Sequence, residues 1–151
     1  MANLVISCLV IGVLLYLSKI DVLKRRIPNR IVIPALFGLL FTYGILGKFF
    51  DRGPEFSRAI FGLCFTFLFF LALIAISPNG IGMGDVKLSA LVGTALAWFS
   101  FNALFVGLVS MFLVSGIYSA ILLIKNPSMI RGSIPFAPFM TLGYIIGIAL
   151  R

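Results

Sequence analysis

Four acidic side chains serve a chain of 151 residues, and no histidine is present. A hydrolytic site built on imidazole is therefore excluded, and general acid–base work falls to carboxylates. Asp51 and Glu55 lie beside Arg52 and Arg58 in a polar stretch, where a solvated connection accounts for them. Asp21 and Asp85 differ, because each stands at the margin of an apolar run. An ionisable group there is costly to desolvate and is a candidate for function. Two facing carboxylates a few ångströms apart cannot both ionise, so such a pair holds one proton. The ionised member can activate water, and the protonated member can protonate a carbonyl oxygen. A site of this kind calls for no metal and no cofactor. Cys8 and Cys64, isolated within apolar stretches, suggest neither a zinc cluster nor a disulfide framework. The competing account is electrostatic only: Asp21 pairs with Lys24 or Arg25 in the headgroup region, and Asp85 favourably charges a helix N-terminus.

The residues around the two aspartates carry further signals. Gly80, Gly82 and Gly84 alternate just ahead of Asp85. They fit a turn that needs positive φ or close helix approach, or a gap in which a substrate backbone lies extended beside the carboxylates. No Gly-Lys-Ser/Thr follows, so a phosphate loop is excluded. Lys87 reads first as a headgroup charge and second as a contact to Asp85 or to substrate. Lys24, Arg25, Arg26 and Arg30 surround Ile27-Pro28-Asn29 and read as an anchor to anionic lipid.

Elements that position these groups must be membrane helices. With 62% hydrophobic and 11% charged residues and a mean hydropathy of +1.21, the chain has too little polar surface for a soluble domain. Six apolar runs predict an all-α bundle of six transmembrane helices, a single domain over 1–151 with no room for a separate soluble one. The runs are 2–18, 31–47, 59–76, 85–101, 102–124 and 134–150. The first reads as a retained span, since no basic residue precedes it. Asn29 is placed to cap the second, where Pro34 falls in the first turn. Ser77-Pro78-Asn79-Gly80 breaks the chain after the third. Ser100 and Asn102 mark a tight turn between the fourth and fifth, and Pro135 suits the first turn of the sixth. The net charge of +8 reads as topology and not as nucleic-acid binding. The first, third and fifth connections hold eight Lys and Arg against four on the other face. That bias places those connections, and both aspartates with them, at the cytoplasmic face of the cell membrane and both termini outside.

Three separated segments resemble one known family. Gly82-Met83-Gly84-Asp85-Val86-Lys87 resembles the GxGD motif of polytopic aspartyl proteases in the form typical of type IV prepilin peptidases. Asp21 with Arg25-Arg26-Ile27-Pro28-Asn29 resembles that family's first catalytic aspartate and its downstream segment. Gly132-Ser133-Ile134-Pro135-Phe136-Ala137-Pro138-Phe139 resembles the motif that opens its last helix. The resemblance implies an endopeptidase that removes, after a glycine, the short basic leader of prepilins and pseudopilins at the cytoplasmic membrane face. It implies Asp21 and Asp85 as the catalytic pair, with Gly82, Gly84, Lys87, Pro28, Asn29 and Pro135 as motif or substrate-positioning residues. No metal or cofactor is implied, and the partners are prepilin-like substrates and the bilayer. Larger members of the family carry a domain with paired CxxC motifs between their first spans and methylate the new amino terminus. The 19–30 connection is too short for it, so the resemblance implies a compact form without methyltransferase activity. Two alternatives remain at this level: an intramembrane GxGD protease of the presenilin or signal-peptide-peptidase type, and a small proton-linked carrier using Asp85 and Lys87.

Overall fold

A computed structural model describes residues 2–76, 82–125 and 134–151. Among them are six helices and no strand: α1 (Ala2–Lys24), α2 (Asn29–Phe49), α3 (Gly53–Ile76), α4 (Met83–Phe99), α5 (Phe101–Lys125) and α6 (Ala137–Ala149). By length and composition α1, α2, α3 and α5 can each cross a membrane, and α6 is a shorter apolar helix. The Ser77–Gly80 breaker and Gly132-Ser133 lie outside the described residues.

The bundle is organised around α4, which packs on α2, α3, α5 and α6 and is buried almost continuously from Val86 to Trp98. Its sequence explains the position. Ser89, Ala90, Gly93, Ala95 and Ala97 are small, and small residues let helix backbones approach where lipid supplies no hydrophobic drive. A methyl group added at Gly62 of α3 would collide with Ala97 and with the Gly93 carbonyl. Thr66 closes the same seam by donating to the Ser89 carbonyl at 2.9 Å. The α5–α6 seam uses the same device, since a methyl on Gly143 would stand 2.6 Å from the Gly107 carbonyl oxygen.

Helix ends depart from the apolar windows. The first helix continues past Ser18 to Lys24, so Asp21 lies within α1 and not beyond it. Lys19 and Lys24 have long stems that run along apolar surface while the charge reaches water, so they extend a helix and do not stop it. The third helix begins at Gly53, which puts Glu55 and Arg58 on α3 and not in a loop. Asn29 does not cap α2: Pro28 holds the N-cap position at φ −74° and ψ 120°, with no side-chain cap. Because α2 starts early, Pro34 falls in its second turn, where its missing N–H leaves the Arg30 carbonyl without its usual donor. Ser100 does form the expected turn, its Oγ accepting from the Ala103 amide at 2.9 Å. Pro135 precedes α6, and Pro138 is the proline in its first turn.

Candidate active site

Asp21 sits one turn before the end of α1 and is 6% exposed. Arg25 ends the helix in the left-handed region at φ 49°, its amide donating to the Asp21 carbonyl at 2.7 Å. A left-handed non-glycine residue costs on the order of 1 kcal/mol, and the reversal returns Ile27 and Pro28 toward the start of α4. Among the described residues no cation pairs with the Asp21 carboxylate. Its Oδ2 accepts from the backbone amide of Ala137 at 3.1 Å, within the bundle. Ala137 is the first residue of α6, where amides have no helical acceptor and favour an anion. A second bond fixes the contact one turn deeper, where Ser18 Oγ and Thr141 Oγ1 are 2.7 Å apart and both buried. Phe136, just ahead of α6, packs on Phe70 and Phe112 with ring centroids 5.9 and 5.8 Å apart.

Asp85 is in the first turn of α4, ahead of the apolar stretch that begins at Leu88. Its Oδ2 accepts from the Gly82 amide at 3.1 Å, and its own amide donates to the Gly82 carbonyl at 3.0 Å. This is the carboxylate half of a capping box. Burial pushes the Asp85 carboxyl up from 3.8 to about 6; the Gly82 amide opposes the rise and the nearby charge of Asp21 adds to it.

Both carboxylates line one groove of about 340 Å³ at one end of the bundle, together with Arg25, Arg26, Gly82 and Lys87. Residues 64 positions apart in sequence are thus brought together by α1 and α4. Each offers its Oδ2 to a backbone amide, and among the described residues neither Oδ1 accepts a hydrogen bond. The arrangement holds two carboxylates in fixed orientation with one oxygen of each left for water or substrate.

The remaining expected residues separate by role. Gly84 is a close approach: a methyl there would stand 2.9 Å from Ile27 Cβ, so its absence lets the α1–α2 turn press on the start of α4. Gly82 is not a positive-φ residue, lying at φ −85°, and an added methyl would meet Asp85 Oδ2 at an ordinary 3.5 Å. Gly80 lies outside the described residues. Lys87 Nζ donates to Asn29 Oδ1 at 3.0 Å, joining α4 to α2 at the rim of the groove. Pro28 sets the start of α2. Pro135 lies outside the groove lining, in the non-helical approach to α6. Sequence reasoning missed the Ala137 amide and the Ser18–Thr141 bond. Pro138 marks the first turn of α6, where amides lack helical acceptors, but no residue type singles out the Ala137 amide itself. Among the described residues no group of His, Cys, Asp and Glu is placed to hold a metal ion.

The fold and groove define a class: a polytopic helical membrane protein with a pair of carboxylates at one end of its bundle. Comparison with known proteins narrows this. The type IV leader peptidase family matches over residues 8–124. A prepilin leader peptidase/N-methyltransferase of Aeromonas salmonicida is 30% identical over 138 residues, covering 90% of this chain and 46% of that protein. The Bacillus subtilis protein of the same name is 29% identical over 136 residues, covering 90% of this chain and 52% of its own length. That of Pseudomonas aeruginosa is 28% identical over 134 residues, covering 85% and 43%. The chain spans about half the length of the curated relatives it matches. No solved structure matches it. The chain belongs to the type IV leader peptidase family.

Proposed function

We propose that this protein is a membrane aspartyl endopeptidase that cleaves the leader of type IV prepilins or pseudopilins, with Asp21 and Asp85 as its catalytic pair. The observation that carries the reading is the shared groove, in which both carboxylates are held by backbone amides and expose their other oxygens. One proton shared by the pair suffices for the reaction. The ionised carboxylate takes a proton from water as it attacks the scissile carbonyl, and the protonated carboxylate donates to the carbonyl oxygen. The tetrahedral species collapses when the leaving nitrogen takes a proton back. Family membership and the printed names of the relatives support a prepilin-like substrate. The excess of basic residues in the odd-numbered connections supports a cytoplasmic groove and outward termini.

The proposal is limited to peptide cleavage. The names of the relatives join it to N-methylation, whereas α1 and α2 here are linked by 25–28 alone, which leaves no room for an inserted domain at that point. The test uses purified protein in lipid with a prepilin-like substrate and a methyl donor, and mass spectrometry of the products. A single cut after the leader glycine with an unmodified new amino terminus is expected. A cut inside the substrate's apolar segment would instead assign the intramembrane type of chemistry, and a methylated product would remove the limit.

A further inference from the structure

The end of the bundle opposite the carboxylates carries a second polar pocket. Asn3 stands 18 residues before Asp21 on α1, about 27 Å along a helix that rises 1.5 Å per residue. Around it a pocket of about 450 Å³ is lined by Asn3, Arg52, Glu55, Arg58, Trp98 and Arg151, among others. Three guanidinium groups therefore share the lining with one side-chain carboxylate, that of Glu55. Their hydrogen bonds among the described residues go to neutral acceptors: Arg52 Nη1 donates to Asn3 Oδ1 at 2.9 Å, and Arg58 Nη2 reaches the Trp98 carbonyl at 3.4 Å. The Arg151 guanidinium lies 4.6 Å from the centre of the Phe99 ring.

A second observation points to a missing partner at the same end. Among the described residues three buried polar atoms have no hydrogen-bond partner: Arg58 Nε and the hydroxyls of Tyr43 and Tyr144. Arg58 is the one of the three that lines the pocket, and Tyr43 stands behind it, stacked on the lining residue Trp98 with ring centroids 4.0 Å apart. Both tyrosines are 0% exposed. Buried donors left unpaired are costly, and folded proteins supply them with a partner or an ordered molecule.

We infer that this pocket binds a phosphate-bearing anion, supplied by the headgroup of an anionic membrane phospholipid. Guanidinium groups match phosphate oxygens in a two-pronged geometry that an isolated ammonium cannot copy. Trp98, itself buried, and Phe99 end α4 beside the pocket, so the guanidinium groups lie just beyond the apolar stretch of that helix. Glu55 opposes an anion but accepts from hydroxyl groups, which favours a headgroup that carries them. The site is separate from the carboxylate groove and does not depend on the proposed peptidase activity.

The test uses the full chain in detergent, supplemented with phosphatidylglycerol, phosphatidylcholine or inorganic phosphate. Thermal unfolding and native mass spectrometry are the readouts. Phosphatidylglycerol is expected to raise the unfolding midpoint by about 4 °C over phosphatidylcholine and to remain bound in the gas phase. Arg52→Gln with Arg58→Gln should abolish the rise, whereas Lys48→Gln, which removes a charge at the same end outside the pocket, should keep it. An equal loss with Lys48→Gln would reduce the effect to general surface charge and overturn the site. An equal rise with inorganic phosphate would overturn the lipid as its source. Should the double variant fail to fold, the wild-type comparison decides, and no preference for phosphatidylglycerol overturns the proposal.

Discussion

Asp85→Asn should stabilise the protein at neutral and higher pH while abolishing its chemistry. The carboxyl ionises near 6 in the fold against 3.8 in the absence of the fold. Each pH unit of difference is worth 1.36 kcal/mol, so full ionisation costs the folded state at most about 3 kcal/mol. The groove is open to water, which reduces the figure to about 1–3 kcal/mol. Because the folded value is raised, the stabilising contribution of the protonated form is complete below about pH 4 and is lost as pH rises through 6. Asparagine fits the same space, accepts the Gly82 amide through its side-chain oxygen and carries no charge. Thermal unfolding of wild type and variant in detergent from pH 4 to pH 8 should therefore give nearly matching midpoints at the acid end, a gap in favour of the variant that opens between about pH 4 and pH 6, and a constant gap above that. A gap independent of pH, or a variant less stable than wild type at pH 8, would refute the claim that burial and Asp21 raise this carboxyl.

Other substitutions separate space from chemistry. Gly84→Ala drives a methyl against Ile27 Cβ and should cost about 1–3 kcal/mol of stability together with processing, read by unfolding and by leader cleavage. Gly82→Ala meets only an ordinary contact, so its midpoint should stay unchanged, and any lost processing then reports room needed by the substrate backbone. Thr141→Val leaves the buried Ser18 hydroxyl without its partner and should cost about 1–3 kcal/mol and slow cleavage, with Thr141→Ser restoring both. Gly93→Ala places a methyl on Thr66 and the Gly62 carbonyl and should prevent close packing of α3 on α4, seen as loss of folded protein on expression.

The pairing of Asp21 with Asp85 was legible because acids are so scarce in this chain that two at the margins of apolar runs stand out. Helix number and order were legible for the same reason that hydropathy works in lipid: unpaired backbone groups cannot be left in hydrocarbon, so each long apolar run must be a helix. Helix ends were not, since Lys19, Lys24, Glu55 and Arg58 continue helices that an apolar window cuts short. The central place of α4 was also hidden. Its alanines, serine and glycine lower its hydropathy, and those residues are the ones that let four neighbours close on it. The Ala137 amide had no residue-type signature at all, because a backbone donor is present at every residue except proline. It acquires meaning only once Pro138 fixes where α6 begins and the bundle places that start against Asp21.

The central claim is that two carboxylates on α1 and α4 act as one unit, and its most direct test is leader cleavage by wild type, Asp21→Asn and Asp85→Asn in membranes at matched expression. Each variant should fold, as judged by its unfolding midpoint, and each should lose processing by on the order of a thousandfold or more, as expected when residues act as a unit. Undiminished cleavage in either folded variant would contradict a shared-proton dyad.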